Sequence, residues 1–222
     1  MTTKIPTQWT TRTVEAQRGR GEDRVEVIQL PDRTIFIVVD GAGGTSYGAT
    51  AAHHICVSTT KRCQRKPPDD NFDWSKWWLE ALDCEMASEP SLGQAAAVIV
   101  DLRNNGQITG ASVGDCEAWT FSKDEQPKNL TFAQNRKPLL GGGLITPVQK
   151  FETHLSDNTT LLIATDGLWK YLNHTRIAHD VTTWSLHTAA DALIADVRLK
   201  NGSLQDDVAL ALVKCHNNPH TR

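Results

Sequence analysis

The sequence has no run of about 18 apolar residues, so it offers no transmembrane helix. Its opening Met1-Thr-Thr-Lys-Ile-Pro6 lacks the apolar core of a secretory signal, and a cytoplasmic setting is the expectation. No charge of one sign dominates: 23 Lys and Arg against 26 Asp and Glu leave a formal net charge of −3. A broad basic field for nucleic acid or an anionic membrane is therefore excluded. Long like-charged tails, internal repeats and low-complexity segments are absent too. The cysteines, Cys56, Cys63, Cys84, Cys116 and Cys215, are odd in number and lack zinc-site spacing. They read as reduced, mostly buried thiols. One domain spanning residues 1–222 is expected, large enough to bury roughly 70% of its unfolded surface. A monomer is expected.

What is present alternates between short apolar runs and turn signals. Residues 1–12 are polar and gain order only by pairing. Segments 13–17 and 24–30 read as strands around the turn-rich Arg18-Gly-Arg-Gly-Glu-Asp23. Segment 34–39, Thr-Ile-Phe-Ile-Val-Val, is the strongest strand and stops at Asp40-Gly-Ala-Gly-Gly44. A helix is predicted over 46–62, burying Ala51, Ala52, Ile55, Cys56 and Thr59. A second, over 73–87, carries Trp74, Trp77, Trp78, Ala81 and Leu82 on a broad apolar face. Strands follow at 95–102, 107–113 and 117–121, the first two joined by an Asn105-Gly106 turn. Segment 122–143 reads as loop, 148–154 and 160–165 as a hairpin, and 166–169 as a short helix. Helices at 176–183 and 188–200 precede a closing strand at 207–213. Strands, then helices, then a strand indicate an α+β fold with antiparallel sheets.

Five acidic residues, Asp23, Asp40, Asp115, Asp166 and Asp206, share one context: each sits where a strand meets a turn. Strand ends of one sheet lie side by side, so these carboxylates converge at one edge. Converging carboxylates repel unless a cation lies between them. All-oxygen ligands suit Mg²⁺ or Mn²⁺ better than zinc. Taken singly, each Asp-Gly is ordinary turn chemistry.

In their order the motifs resemble the metal-dependent protein phosphatases, the type-2C Ser/Thr phosphatases. The resemblance runs from Arg18 to Val213 through Arg18-Gly-Arg-Gly-Glu-Asp23, Phe36-Ile-Val-Val-Asp-Gly-Ala-Gly-Gly44, Ala111-Ser-Val-Gly-Asp115, Leu161-Leu-Ile-Ala-Thr-Asp-Gly-Leu-Trp169 and Asp206-Asp-Val-Ala-Leu210. It implies an α-β-β-α sandwich of two antiparallel sheets flanked by helices, with metals at one end. Asp40 would bridge two cations, Mn²⁺ or Mg²⁺, and Gly41 would lend its carbonyl. Glu22 or Asp23 would hold the second metal, Asp166 and Asp206 the first. Asp207 stands beside Asp206 as an alternative ligand. Asp115 would lie near a weaker third site. Arg18 would grip the phosphate of a phosphorylated protein through its bidentate fork. Two metals about 3.5–4 Å apart activate water for in-line attack, without a covalent phosphoenzyme.

The sequence departs from the family at several places. Gly114-Asp-Cys-Glu117 replaces Gly-Asp-Ser-Arg, Gly93-Gln-Ala-Ala96 loses hydroxyls, and Ala42 stands where some relatives carry a histidine. The segment between Gly114 and Asp166 is short for the family's substrate-facing flap. A catalytically weak module that binds a phosphoprotein or regulator is the alternative. Two rival chemistries are weaker. Cys56-Val-Ser-Thr-Thr-Lys-Arg62 has the spacing of a cysteine phosphatase but no glycine, and it lies late in a helix. Gly41-Ala-Gly-Gly44 is followed by no Gly-Lys-Ser/Thr. His53 and His54 are adjacent, hence on different helix faces. Trp77-Trp78 would leave one ring exposed for a partner.

Overall fold

The computed structural model describes residues 7–17, 19–43, 47–143 and 148–215, except the side chains of 79 and 80. Strands β1 (Thr7–Val14), β2 (Asp23–Gln29) and β3 (Arg33–Gly41) lead into helix α1 (Gly48–Arg65). Helix α2 (Trp74–Trp77) runs through a π-helical turn, Trp78–Asp83, into α3 (Cys84–Ser88). Strands β4 (Ala95–Arg103), β5 (Gln107–Val113), β6 (Glu117–Phe121), β7 (Lys128–Asn129), β8 (Gln149–His154) and β9 (Thr160–Ala164) follow. Helices α4 (Asp166–Trp169), α5 (His174–Thr183) and α6 (Leu186–Asp196) precede β10 (Val208–Cys215). No helix among the described residues is long and apolar enough to cross a membrane.

Two five-stranded sheets form, ordered β1-β10-β9-β6-β7 and β2-β3-β4-β5-β8, and every pairing is antiparallel. They are the inner layers of a four-layer sandwich. Side chains alternate along a strand, so β3 must serve both of its faces. Phe36 and Val38 point to the opposite sheet, where Ile163, Ala209, Ala211 and Val213 meet them. Ile35, Ile37 and Val39 point to α1 and the π turn, meeting Ile55 and Trp78. This double burial accounts for the unbroken apolar run at 35–39. The outer face of the other sheet, with Leu162, Leu210 and Leu212, is covered by Ile177 of α5 and Leu193 of α6.

The expected architecture is present, and the corrections concern connections and phases. The strand read at 13–17 instead occupies Thr7–Val14, because β1 gains its ladder from β10 over Thr7↔Cys215 to Val14↔Val208. The segments read as a hairpin at 148–154 and 160–165 lie in different sheets: β8 pairs with β5 and β9 with β10. Apolar content alone does not reveal that the chain crosses layers there. Short β7 lies within the stretch read as loop. Ala81 is exposed, whereas Leu82 and Met86 are buried. The wider π turn rotates the helix past the phase that 3.6-residue spacing predicts. Trp78 is fully buried and Trp77 packs partly on the core; the exposed tryptophan is Trp184.

A buried ionic network pins α2 to the sheet. Arg33, 3% exposed, donates to Asp101 at 3.1 Å and to Asp32 at 2.7 Å. Trp74 Nε1 donates to the same Asp101 oxygen at 3.2 Å. Removing the guanidinium strands a carboxylate that is 1% exposed. Arg33→Met is therefore expected to cost about 3 kcal/mol in urea unfolding. Arg33→Met with Asp101→Leu should recover most of that loss, and equal losses for the single and double variants would contradict this account.

Candidate metal centre

The site forms where ends of the two sheets meet. Asp23 opens β2 and Asp40 lies near the end of β3, and the two are register partners. Asp115 lies on the link by which the chain passes from β5 to β6, hence from one sheet to the other. Asp166 begins α4 directly after β9, and Asp206 precedes β10, the neighbour of β9. Close packing dictates two of the adjoining glycines. A Cβ on Gly167 would lie 1.9 Å from the Asp207 carbonyl oxygen. Gly114 has φ +86° and a Cβ there would meet Ala96 Cβ at 2.4 Å.

Glu22, Asp23, Asp40, Gly41, Asp115, Asp166 and Asp206 all line one cavity of about 340 Å³. Arg18 lies outside the described residues. Within the cavity, one carboxylate oxygen each from Asp40, Asp115 and Asp166 falls within a mutual 4.8 Å. Asp115, set apart by the resemblance, thus belongs to this group. Asp207 is engaged differently. Its Oδ1 accepts from the Ala16 amide and its Oδ2 from the Glu22 amide, both at 2.7 Å. It ties the β1–β2 connection to the start of β10.

Sequence reasoning missed the basic residues in the cavity. Lys170 contacts the Asp166 carboxylate and lies 3.5 Å from Asp206. Arg136 donates to Asp115 at 2.9 Å and lies 4.0 Å from Asp166. The Asp166–Lys170 spacing of four was a readable signal for a helical pair. Arg136 had none, since 21 residues of loop and short strand separate it from Asp115.

The electrostatics fit a cation. Burial, then Asp23, Asp166, Asp115 and Asp206, push the Asp40 carboxyl up to about 9. Burial raises Asp23 to about 8, against a hydrogen bond from Thr165 and with the Asp207, Asp206 and Asp166 charges. Asp166 and Glu22 are raised as well, burial first in each. Asp23 Oδ2 is buried without a hydrogen-bond partner. An orphaned carboxylate oxygen beside an all-oxygen set is the chemistry that hard divalent cations satisfy.

The family model described as Stage II sporulation protein E (SpoIIE) matches residues 31–216. The chain belongs to the SpoIIE family. This places it among the metal-dependent phosphatase domains that its motifs resemble. No curated protein matches. Solved structures share the SpoIIE-type fold at low identity. A bacterial serine phosphatase carrying a point mutation has TM-score 0.79 and 18% identity over 97% of this chain and 100% of its own. The PstP catalytic domain in complex with 2 manganese ions has TM-score 0.72 and 15% identity over 95% and 99%. RsbX in complex with magnesium has TM-score 0.70 and 15% identity over 95% and 96%.

The raised carboxyls predict a pH dependence. Their unfolded pKa is about 3.9, so between about pH 4 and pH 8–9 the metal-free folded state holds more protons than the unfolded one. Stability fully present below that window is lost as pH rises through it. In chelator, the melting temperature should fall across this range. Asp40→Asn should raise it at about pH 8 while shrinking the upward shift caused by Mn²⁺. A flat metal-free profile by differential scanning fluorimetry would contradict the charge assignment.

Proposed function

We propose that this chain is a metal-dependent protein serine/threonine phosphatase acting on phosphorylated proteins. The observation that carries the reading is the convergence of Asp40, Asp115 and Asp166 within 4.8 Å. Glu22 or Asp23, Asp40, Gly41, Asp166 and Asp206 would hold two cations, Mn²⁺ or Mg²⁺, with Asp115 serving a weaker third. Support comes from the manganese and magnesium named for PstP and RsbX. Bound cations of this kind lower the pKa of a water nucleophile and offset charge developing on the phosphoryl oxygens. The cytoplasmic setting and the single domain remain part of the proposal; three contiguous apolar layers support the latter.

The chain's own residues then have defined tasks. Asp23 and Asp40 are held in place by burial and by their pairing on adjacent strands. Arg18 would bind the phosphate dianion through two parallel N–H donors. Lys170 and Arg136 keep cationic charge at the mouth of an acidic cleft that must admit an anion. Ala42 offers no titratable group, so it takes no part in protonating the leaving alcohol. Cys56 takes no part as nucleophile, because burial pushes its thiol up to about 12. One feature favours the alternative of a binding module without turnover: Lys170 and Arg136 already compensate Asp166 and Asp115.

Hydrolysis of p-nitrophenyl phosphate separates these readings. The phosphatase should lose activity in chelator and recover it with Mn²⁺ or Mg²⁺. Asp40→Asn should lower kcat by about 100-fold or more, the scale of losing one key electrostatic group. Arg18→Ala should raise KM more than it lowers kcat. Cys56→Ser should leave turnover intact. Full activity in excess chelator, or near-normal kcat in Asp40→Asn, would overturn the proposal.

A further inference from the structure

A second cavity, of about 300 Å³, opens beside the acidic cleft and shares Asp115, Arg136, Asp166 and Lys170 with it. A phosphorylated side chain seated in the cleft therefore brings its sequence neighbours to this cavity. Its far side is built by residues that the metal chemistry does not use: Glu117, Asn129, Thr131, Phe132, Gln134 and Trp169.

The charge and hydrogen-bonding pattern of that side is one-sided. Asp115 is paired with Arg136 and Asp166 with Lys170, whereas no Lys, Arg or His among the described residues forms an ion pair with Glu117. The Glu117 carboxylate is held in position: its Oε2 accepts from Trp119 Nε1 at 2.5 Å and from Asn129 Nδ2 at 3.5 Å. Trp119 in turn packs on Trp169 and His174, with ring centroids 6.0 and 4.4 Å away. Gln134 spends its amide N–H on the Cys116 carbonyl at 2.9 Å, and its buried Oε1 has no partner. The Thr131 hydroxyl donates to Asn129 Oδ1 at 2.9 Å. Each of these amide and hydroxyl groups already makes a bond within the protein, and the Glu117 carboxylate keeps its uncompensated charge. At the mouth stands Phe132, 80% exposed, an apolar ring against which the methylenes of a long cationic side chain can lie.

We propose that this cavity is a specificity subsite for a basic side chain, arginine above all, flanking the phosphorylated serine or threonine of the substrate. The proposal rests on the phosphatase reading for what occupies the cleft. A guanidinium matches what the cavity offers: positive charge and planar donors for the Glu117 carboxylate, and a flat face for Phe132. A flanking glutamate or aspartate would meet Glu117 as a like charge.

The test uses the full chain with Mn²⁺ and fluorescein-labelled phosphoserine peptides carrying Arg, Ala or Glu at either flanking position. Binding is read by anisotropy and turnover by phosphate release, with p-nitrophenyl phosphate as a substrate too small to reach the cavity. An Arg-flanked peptide should bind about tenfold more tightly than its Glu counterpart, the scale of one partly exposed charge-assisted contact. Glu117→Gln should erase that preference and Glu117→Lys should reverse it, both leaving p-nitrophenyl phosphate hydrolysis unchanged. Equal binding of the peptides, or a preference that survives Glu117→Gln, would overturn the subsite. Absence of p-nitrophenyl phosphate hydrolysis by the wild-type chain would overturn the phosphatase reading instead, and the binding comparison would still decide the subsite.

Discussion

Mutual repulsion among carboxylates is the constraint around which this end of the molecule is organised. Among the described residues, seven acidic side chains line a single cavity, against three basic ones. Such an arrangement persists only if packing elsewhere forces it. The packing is that of two sheets and their flanking helices, whose buried apolar faces fix the strand ends where the acids sit. The hydrophobic layers thus hold a polar site in a state it would not choose alone, and a cation relieves the conflict. Sites of stored electrostatic strain are where function is expected.

The acids divide by what they touch. Asp207 accepts a backbone amide on each oxygen and acts as a clasp, Asp115 and Asp166 lean on basic side chains, and Asp23 keeps an orphaned oxygen. Neighbours in sequence therefore differ in kind: Asp206 faces the cavity and Lys170, while Asp207 also secures the β1–β2 connection. Sequence identity alone would treat the pair as interchangeable.

Much of this was legible beforehand, for reasons that can be stated. The 35–39 run is apolar because both faces of β3 are buried, and Asp-Gly turns mark strand ends, so the strands and their acids were readable. Less local features were not. The pairing of β1 depends on β10, some two hundred residues away, so polar residues such as Thr10 and Arg12 could not announce a strand. The separation of β8 from β9 is a choice of sheet, which leaves no periodic trace. The π turn changes the helical phase without altering composition, hence the misassigned Ala81. Arg136 reaches Asp115 only because a loop folds back, and Arg18, expected to meet phosphate, lies outside the described residues.

The pairing of β1 with β10 has a consequence for how the protein is made. The earliest described strand has its hydrogen-bonding partner in the latest, and β10 also sits between β1 and β9. During synthesis the sheet holding β9 therefore has a gap until β10 has emerged. Non-local closure of this kind is slow and leaves strand edges open in the meantime. The nascent chain can complete the β2–β3–β4–β5 ladder, and with it Asp23 and Asp40, well before Asp206 arrives. The acid cluster is thus unfinished until β10 and the residues just before it have emerged, and full cation capture waits for them.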